Sequence, residues 1–253
     1  MIATTIAAAQ SISRPGDIDA NVQEHLRFIS AAHAAGVQML VFPELSLSGY
    51  ELPLMQRCLL HPEHPALAPI RALVQHTGMY VTVGAPVANG DALPAIGAIT
   101  FRPDGSAVVY RKHHVHSSEA RFASPGAQAT RVVALGLETV GQAICADIGQ
   151  PTHAALAAQA GATLYLAGVL VSEAGYAKDS AALQQYAQIH GMGTLMANHG
   201  GPSGDYISAG KSAFWAPGGA LVVAAPGAGP CLVIARKTGL TGQTQWSGHT
   251  VNI

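Results

Sequence analysis

Residues 37–45 read VQMLVFPEL, and this stretch decides how the chain is organised. Its first six residues have the length and apolar content of a buried strand, which Pro43 then ends. The preceding segment, residues 20–35, follows a helical period. A helix that leads into a buried strand is the building unit of an α/β fold, and Glu44 stands just beyond the predicted strand.

The rest of the chain continues this alternation and adds tight hairpins. Helices are predicted over 20–35 (between an N-cap at Asp19 and a stop at Gly36), 66–76, 151–160 and 178–190, and strands over 2–9, 37–42, 80–85, 95–101, 106–111, 131–135, 138–145, 162–167, 194–198, 209–215, 220–225 and 231–236. Turn sequences such as Arg102–Gly105 predict hairpins. The pattern predicts an α/β fold of sheets covered by helices, with parallel and antiparallel neighbours, in a single domain over 1–253. No element is predicted for the polar tail, 237–253, which we expect to be available for contact between copies of the chain.

The composition restricts the classes of function. Of 253 residues, 49% are apolar and only 11% are charged, which is low for a fully solvated surface, so we expect self-association. The net charge is −1 without a basic block, so neither nucleic acid nor an anionic membrane is an expected partner. No apolar run approaches the roughly 18 residues of a membrane span. Residues 2–9 lack the basic region of a signal peptide, which predicts a cytoplasmic protein.

The three cysteines are Cys58, Cys145 and Cys231, too few and too widely spaced for a disulfide framework or a CxxC zinc site. Cys58 lies in an irregular segment and Cys231 opens a strand predicted at a sheet edge, so both are expected to be inert. Cys145 ends a predicted strand shortly before a helix, where sites gather in α/β sheets. A helix N-terminus and a lysine would lower the pKa of a thiol there, although a lone cysteine is most often buried and inert.

Three chemically different groups follow predicted strand ends: the Glu44 carboxylate, the Lys112 ammonium and the Cys145 thiol. Attack on a carbonyl carbon needs a nucleophile, a base that activates it and a cation for the developing oxyanion. These side chains supply all three without a metal if they converge. Each residue taken singly also fits a structural role: Glu44 could be a loop or helix-capping residue, and Lys112 a solvated lysine at a strand exit.

The segments around these residues resemble the nitrilase superfamily of carbon–nitrogen hydrolases over nearly the whole chain. Both the order and the spacing of the segments agree with the family pattern. The matching segments are Phe42–Leu45 with Ser48–Tyr50, Tyr110–Lys112 with His114, Glu119 with Phe122 and Pro125–Gly126, Ile144–Asp147 with Pro151, Met196–Asn198 with Gly200, and Gly210–Ser212 with Pro217–Gly219.

The resemblance implies a four-layer αββα sandwich that pairs into an αββα–αββα homodimer or a higher homo-oligomer. It also implies a triad in which Glu44 is the general base, Cys145 the nucleophile and Lys112 the oxyanion cation. The backbone N–H of Ala146 would be a second oxyanion donor. Glu119 corresponds to the additional family glutamate that positions the substrate or the lysine; a surface acid in a polar loop is the alternative.

Two departures from the family pattern narrow the expected substrate. The Trp-Glu pair that follows the cysteine in nitrile-hydrolysing members is absent, and Ala146 follows Cys145 instead. No arginine follows closely, whereas members that act on N-carbamoyl amino acids use basic residues to hold the substrate carboxylate. The predicted function is a thiol hydrolase that cleaves a non-peptide C–N bond of a small amide through a Cys thioester, releasing ammonia or an amine and a carboxylic acid. Nitrile hydrolysis by the same triad and a catalytically idle binding member are the alternatives.

Several further residues are predicted near the site, and no cofactor or metal is expected there. Tyr50 and His114 are supporting candidates. The cluster of His113, His114 and His116 lacks a carboxylate or cysteine at ligand spacing, which disfavours a metal site. Gly210–Ser212 lacks the glycine-rich lead of a phosphate loop, so nucleotide binding is not predicted.

The pocket itself is harder to predict. Asp147, Val169 and Asn198 are candidates either for its wall or for core and turn roles. We expect the loops 50–65, 113–126 and 168–177 to set its size.

Overall fold

Two β-sheets packed face to face form the centre of the molecule in the computed structural model, which describes residues 2–127, 132–240 and 243–253. The strands are β1 (Ile2–Gln10), β2 (Met39–Val41), β3 (Tyr80–Val87), β4 (Ala95–Phe101), β5 (Ala107–Arg111), β6 (Val132–Leu135), β7 (Glu138–Ile144), β8 (Leu164–Val169), β9 (Gly193–Asn198), β10 (Ala213–Trp215), β11 (Leu221–Ala224), β12 (Cys231–Leu240) and β13 (Gln243–Asn252). The α-helices are α1 (Ile18–Ala34), α2 (Ala68–Thr77), α3 (Pro151–Gln159) and α4 (Glu173–His190). Each predicted helix and strand corresponds to one of these elements; Arg131, the first residue of the predicted strand 131–135, lies outside the described residues.

Both sheets combine parallel and antiparallel strands. The strand order is β13-β12-β1-β2-β3-β4-β5 in the first sheet and β11-β10-β9-β8-β7-β6 in the second. The central strands β1, β2 and β3 are parallel, as are β7, β8 and β9, and the outer strands join them antiparallel. Glu44 follows the carboxyl end of β2 and Cys145 that of β7, so the two residues come from different sheets.

The layers follow from the alternation of side chains along the strands. In β1, Ala7 packs with Phe28 of α1 on the outer face, whereas Ile6 packs between the two sheets. On the far side of the second sheet, Tyr165 of β8 packs with Leu183 of α4. Helices therefore cover both outer faces of the paired sheets, and the predicted α/β four-layer αββα sandwich is confirmed.

Two helices begin earlier than predicted. The N-cap of α1 is Asp17, whose Oδ1 accepts the backbone N–H three residues on at 3.0 Å, so Asp19 lies in the first turn and is not the cap. Helix α4 begins at Glu173 rather than at Lys178, since Gly175 weakens the helical pattern without ending the helix. Among the described residues, no helix is both long and apolar enough to cross a membrane.

The prediction for the end of the chain is wrong. Strand β12 runs on to Leu240, and β13 pairs along its whole length, from Cys231 opposite Asn252 to Leu240 opposite Gln243. Strand β13 is an edge strand with many exposed polar residues, so its sequence carries no apolar run. Strand β12 lies between β1 and β13, so Cys231 is buried in an inner strand and not at a sheet edge.

Candidate active site

The chain that leaves β2 carries Glu44 into the space between the two sheets. Its backbone passes close to Gly84 in β3 and Gly168 in β8. A Cβ on Gly84 would lie 2.3 Å from the Pro43 carbonyl oxygen, and one on Gly168 would lie 2.7 Å from the Phe42 carbonyl oxygen. Such distances exclude a side chain, so one glycine in each sheet makes room for the segment that bears Glu44.

Lys112 is fully buried at the exit from β5 and lies between two carboxylates. Its Nζ donates to Glu44 Oε1 and to Glu119 Oε1, each at 2.7 Å, and none of the three side chains is exposed. Glu119 also accepts the Tyr50 hydroxyl at 2.5 Å and the His116 backbone N–H at 2.7 Å. Because both side chains are buried, Lys112 is not a solvated lysine and Glu119 is not a surface acid, which were the alternatives for these two residues.

The backbone of Glu44 is held from the second sheet. His199, which follows β9, donates its Nε2 proton to the Glu44 carbonyl oxygen at 2.7 Å. Burial lowers the pKa of His199 to about 4, so the ring is neutral at pH 7. The Glu44 side chain is fixed by Lys112 through Oε1, and its Oε2 is buried and accepts no hydrogen bond from the described residues.

Cys145 occupies a strained turn directly after β7. Its φ is +42°, in the left-handed region that costs an L-residue roughly 1–2 kcal/mol. It begins the 3-10 turn Cys145–Gly149, whose next residue is Ala146. The first N–H groups of a helical turn have no partner within the turn, so the Ala146 N–H is available to an acceptor beside the thiol.

The charges of the site shift one another's pKa values. Burial raises the pKa of the Glu44 carboxyl to about 7, against the opposing charge of Lys112. Burial and then the charge of Glu44 raise the pKa of the Cys145 thiol, which Lys112 offsets only in part. The expected lowering of the thiol pKa is therefore not seen. Burial alone would lower the pKa of Lys112, but the surrounding anionic groups outweigh burial and raise it. The resting site at pH 7 consequently holds a thiol and an ammonium beside a carboxyl group that titrates near neutrality.

Asp147 ties the cysteine turn to the strand exit that carries the lysine. Its Oδ2 accepts the Ile144 N–H at 3.0 Å and the Tyr110 hydroxyl at 2.6 Å. Its Oδ1 accepts the N–H groups of His113 and His114 at 3.2 and 2.9 Å, and His114 Nδ1 lies 3.0 Å away. The side chain is fully buried, so this one carboxylate joins the ends of β5 and β7 from within.

The remaining predicted residues lie around the site without joining its reactive groups. His114 contacts Asp147 and does not line the pocket described below. Val169 is a buried core residue, and the Asn198 side chain bonds the backbone of Val171 and Gly210. Within the part of the chain that the structure describes, no three His, Cys, Asp or Glu side chains are grouped as metal ligands would be.

A pocket of about 390 Å³ opens above the cysteine. Its wall consists of Tyr50, His116, Glu119, Cys145, Ala146, Gly149, Gln150, Leu170, Val171, Ser172, Gly175, Lys178, Asp179 and Tyr206. Four of the predicted site residues, Tyr50, Glu119, Cys145 and Ala146, thus line one cavity. Glu44 and Lys112, which are fully buried, stand behind this wall.

Part of the wall comes from residues that the sequence did not predict. Lys178 and Asp179 enter from α4, beyond the predicted loop 168–177. Tyr206 enters from a loop that is attached to Tyr50, because Ser203 Oγ accepts the Tyr50 N–H at 2.8 Å and the two tyrosine rings meet edge to face. The glycine-rich sequence of that loop signals a turn but does not reveal which surface it covers.

The sequence comparisons identify the family. The family model named carbon-nitrogen hydrolase matches residues 5–242, and the chain therefore belongs to this family, which confirms the resemblance to the nitrilase superfamily. A nitrilase of Pyrococcus abyssi is 31% identical over 148 residues, 57% of this chain and 56% of the relative. An (R)-stereoselective amidase of a Pseudomonas species is 32% identical over 163 residues, 64% of this chain and 58% of the relative. The match thus spans less than two thirds of each of these relatives.

Solved structures agree with the fold. An amidase of the nitrilase superfamily from Nesterenkonia AN1 superposes with a TM-score of 0.83 at 24% identity, covering 91% of this chain and 89% of that one. The same amidase has been solved as a cysteine mutant with butyramide and, in another variant, with acrylamide added to its active-site cysteine. At this identity the likeness establishes the nitrilase fold and leaves the substrate of the present chain open.

Proposed function

We propose that the chain is a thiol amidase that hydrolyses the C–N bond of a small amide. The observation that carries the proposal is the buried contact of Lys112 with Glu44 and Glu119 behind the Cys145 wall of the pocket. Burying three ionisable side chains costs desolvation energy, which their pairing offsets only in part. Such groups cluster at functional sites, which favours a catalytic over an idle member of the family.

In the proposed acylation, Glu44 takes the proton of the Cys145 thiol and the sulfur attacks the amide carbon. The oxyanion that forms accepts hydrogen bonds from Lys112 Nζ and the Ala146 N–H. Glu44 then gives its proton to the leaving nitrogen, the C–N bond breaks, and ammonia or an amine departs from a thioester on Cys145. Glu119 holds the ammonium of Lys112 in place throughout.

In the proposed deacylation, Glu44 acts as a base a second time. It takes a proton from water, the hydroxyl oxygen attacks the thioester carbon, and the same two donors stabilise the oxyanion. The C–S bond breaks, the proton returns to sulfur, and a carboxylic acid leaves. Glu44 carries the protons between the thiol, the leaving nitrogen and water, so the proposal needs no cofactor.

Two of the similar proteins are amidases and one is a nitrilase, so an amide is the first candidate substrate and a nitrile the second. The Pseudomonas relative is an amidase, and the Nesterenkonia amidase binds butyramide, a small amide of the size that the pocket would admit. The Pyrococcus relative is a nitrilase, and the same thiol chemistry is able to begin on a nitrile carbon, so nitrile hydrolysis is the second candidate.

The test is ammonia release from matched amides and nitriles of equal chain length. The wild-type protein should release ammonia from amides, Cys145→Ala should release none, and Cys58→Ala, which removes a buried cysteine outside the pocket, should behave as wild type. Release from nitriles alone would favour the second candidate. Release that survives Cys145→Ala would rule out the thiol mechanism, and a wild-type protein whose Cys145 is neither productive nor selectively alkylated would favour an idle binding member.

A further inference from the structure

The pocket contains one carboxylate that the proposed chemistry does not use. Asp179 lies on the second turn of α4 and lines the same cavity as Cys145. Its side chain is partly buried, and no hydrogen bond or ion pair connects it to another described residue. The carboxylate is thus partly shielded from water and has no partner among the described residues, so a cationic group that enters the pocket is able to pair with it.

The wall around Asp179 leaves its carboxylate open to the cavity. One turn earlier on α4, Gly175 also lines the pocket. A Cβ at Gly175 would lie 3.7 Å from Asp179 Oδ2 and 3.8 Å from Ser172 Oγ. A side chain at this position would lie directly beside both polar atoms, whereas glycine places no side-chain atom there.

The neighbouring charges do not neutralise Asp179. Lys112 is committed to two glutamates, and Lys211 pairs with Glu173 at 2.9 Å. Lys178 is the adjacent residue and also lines the pocket, but it is exposed and forms no ion pair with Asp179 among the described residues. Burial raises the pKa of the Asp179 carboxyl, with Lys178 opposing it only in part, as expected for an acid that lacks a close cation.

We propose that Asp179 recognises an ammonium group on the substrate, so that the preferred substrates are small primary amides with an amine on the acyl chain. The inference rests on the proposed amidase function. The amide carbon would lie at Cys145 and the ammonium at Asp179 and Ser172, across one pocket. An ammonium on carboxylate and hydroxyl oxygens forms charge-assisted hydrogen bonds, which are stronger than neutral ones.

The experiment compares ω-amino amides of increasing chain length with alkyl amides in which a methyl group replaces the ammonium, and with ω-carboxy amides. At the best chain length, the wild type should prefer the amino amide over its alkyl match by about tenfold or more in kcat/KM, and the carboxy amide should be poorest. Asp179→Asn, which keeps the shape, should abolish this preference by lowering kcat/KM for the amino amide about tenfold more than for the alkyl amide. Asp205→Asn removes an exposed carboxylate outside the pocket wall and should retain the preference.

The outcomes separate the two proposals. Hydrolysis of alkyl amides without a preference for amines would overturn the role of Asp179 and leave the amidase standing. An equal loss on alkyl and amino amides in Asp179→Asn would also overturn it, because a merely structural residue would act on both. If the wild type hydrolyses no amide in the series, the amidase proposal fails, and the ammonium site fails with it.

Discussion

Glu44 combines two properties that a general base of this kind needs. Burial raises the pKa of its carboxyl group to about 7, and its contact with Lys112 fixes its orientation. A base whose pKa lies near the working pH accepts a proton readily and returns it readily. The same residue is therefore able to serve as base and acid in alternation.

A pH dependence follows for kcat/KM. In the proposed mechanism the base form of Glu44 is the active one in the free protein, so kcat/KM should fall as the pH drops below an apparent value of about 7, and rise towards a plateau above it. Measuring kcat/KM on one amide between about pH 5 and pH 8 checks this. Glu44→Gln should lose about 10²–10⁴-fold in rate. A flat profile in the wild type, or an active Glu44→Gln, would contradict the assignment.

At the residue scale, the sequence predicted which side chains lie close together but not their ionisation. Glu44, Lys112 and Cys145 are identified by motif and by position after strands. The expected lowering of the Cys145 pKa was wrong, because desolvation and a nearby carboxylate outweigh the lysine. Desolvation depends on what packs against the thiol, and that is decided by segments far away in the chain, such as those bearing Tyr50 and Leu170.

At the scale of elements, the site depends on how strand ends are tied together. Asp147 connects the turn after β7 to the segment after β5, through the Ile144 N–H, the Tyr110 hydroxyl and the two N–H groups of His113 and His114. This carboxylate fixes the positions of Cys145 and Lys112 relative to each other, although it does not line the pocket.

Asp147→Asn should therefore lower activity by about tenfold or more and the free energy of unfolding by about 1–3 kcal/mol, since the amide NH2 replaces one of the two acceptor oxygens with a donor. Amide turnover and thermal unfolding measure the two effects. Tyr110→Phe removes only one of the bonds to Asp147, together with the contact of the Tyr110 hydroxyl with His153 Nε2, and should cost less in activity because the backbone and ring contacts of Asp147 remain. An Asp147→Asn variant with wild-type activity and stability would contradict this role.

The segment that follows β2 packs closely against a glycine in each sheet, and this contact gives a second prediction at this scale. In Gly84→Ala the new Cβ would meet the Pro43 carbonyl, which is backbone and has little freedom to move. We expect the free energy of unfolding to fall by about 1–3 kcal/mol and activity to fall with it, because Glu44 shifts. Gly227→Ala, where a Cβ meets nothing within 4 Å, is the matched control. Equal stability and activity of the two variants would contradict the claim that the close approach at Gly84 requires a glycine.

Elements with strong patterns were predicted well, and elements that depend on tertiary contacts were not. Residues 95–101 form a strand with the predicted bounds, since every residue in it is buried and apolar runs of this kind are distinctive. Strand β13 was missed because it pairs with only one neighbour and keeps polar residues on its exposed side. Its place in the sheet is set by the register with β12, a contact that local patterns do not encode.

At the scale of the whole molecule, the low content of charged residues still predicts self-association, and we propose a homodimer or higher homo-oligomer. Only 11% of the residues are charged. Strand β13 forms one edge of the seven-stranded sheet and presents an unpaired edge among the described residues.

Sedimentation at micromolar concentration should find at least twice the monomer mass. Ser247→Glu places a charge on the exposed surface of β13 and should shift the equilibrium towards monomer. Ser30→Glu, an equal change on exposed α1, should leave it unchanged. A wild-type protein that is only monomeric would contradict self-association, and an equal response of both variants would contradict the role of the tail.

Two kinds of sequence information predicted the architecture of the whole molecule: the pattern of helices and strands, and the family resemblance. The order of helices and strands indicated α/β layers with mixed strand directions, and only the family resemblance specified four layers. The packing of the two sheets relies on side chains such as Ile6 and Leu164, which look like any other buried aliphatic residue in the sequence. Which sheet face meets which partner is therefore visible in the structure and not in the local pattern.

The most direct test of the central claim, a thioester on Cys145, is peptide mass spectrometry of protein quenched in acid during turnover of an amide. The mechanism predicts that the acyl group appears on the peptide containing Cys145 and on neither peptide containing Cys58 or Cys231, and that the adduct is absent from Cys145→Ala. Full consumption of the amide without an adduct on Cys145, and at the same rate in Cys145→Ala, would contradict it.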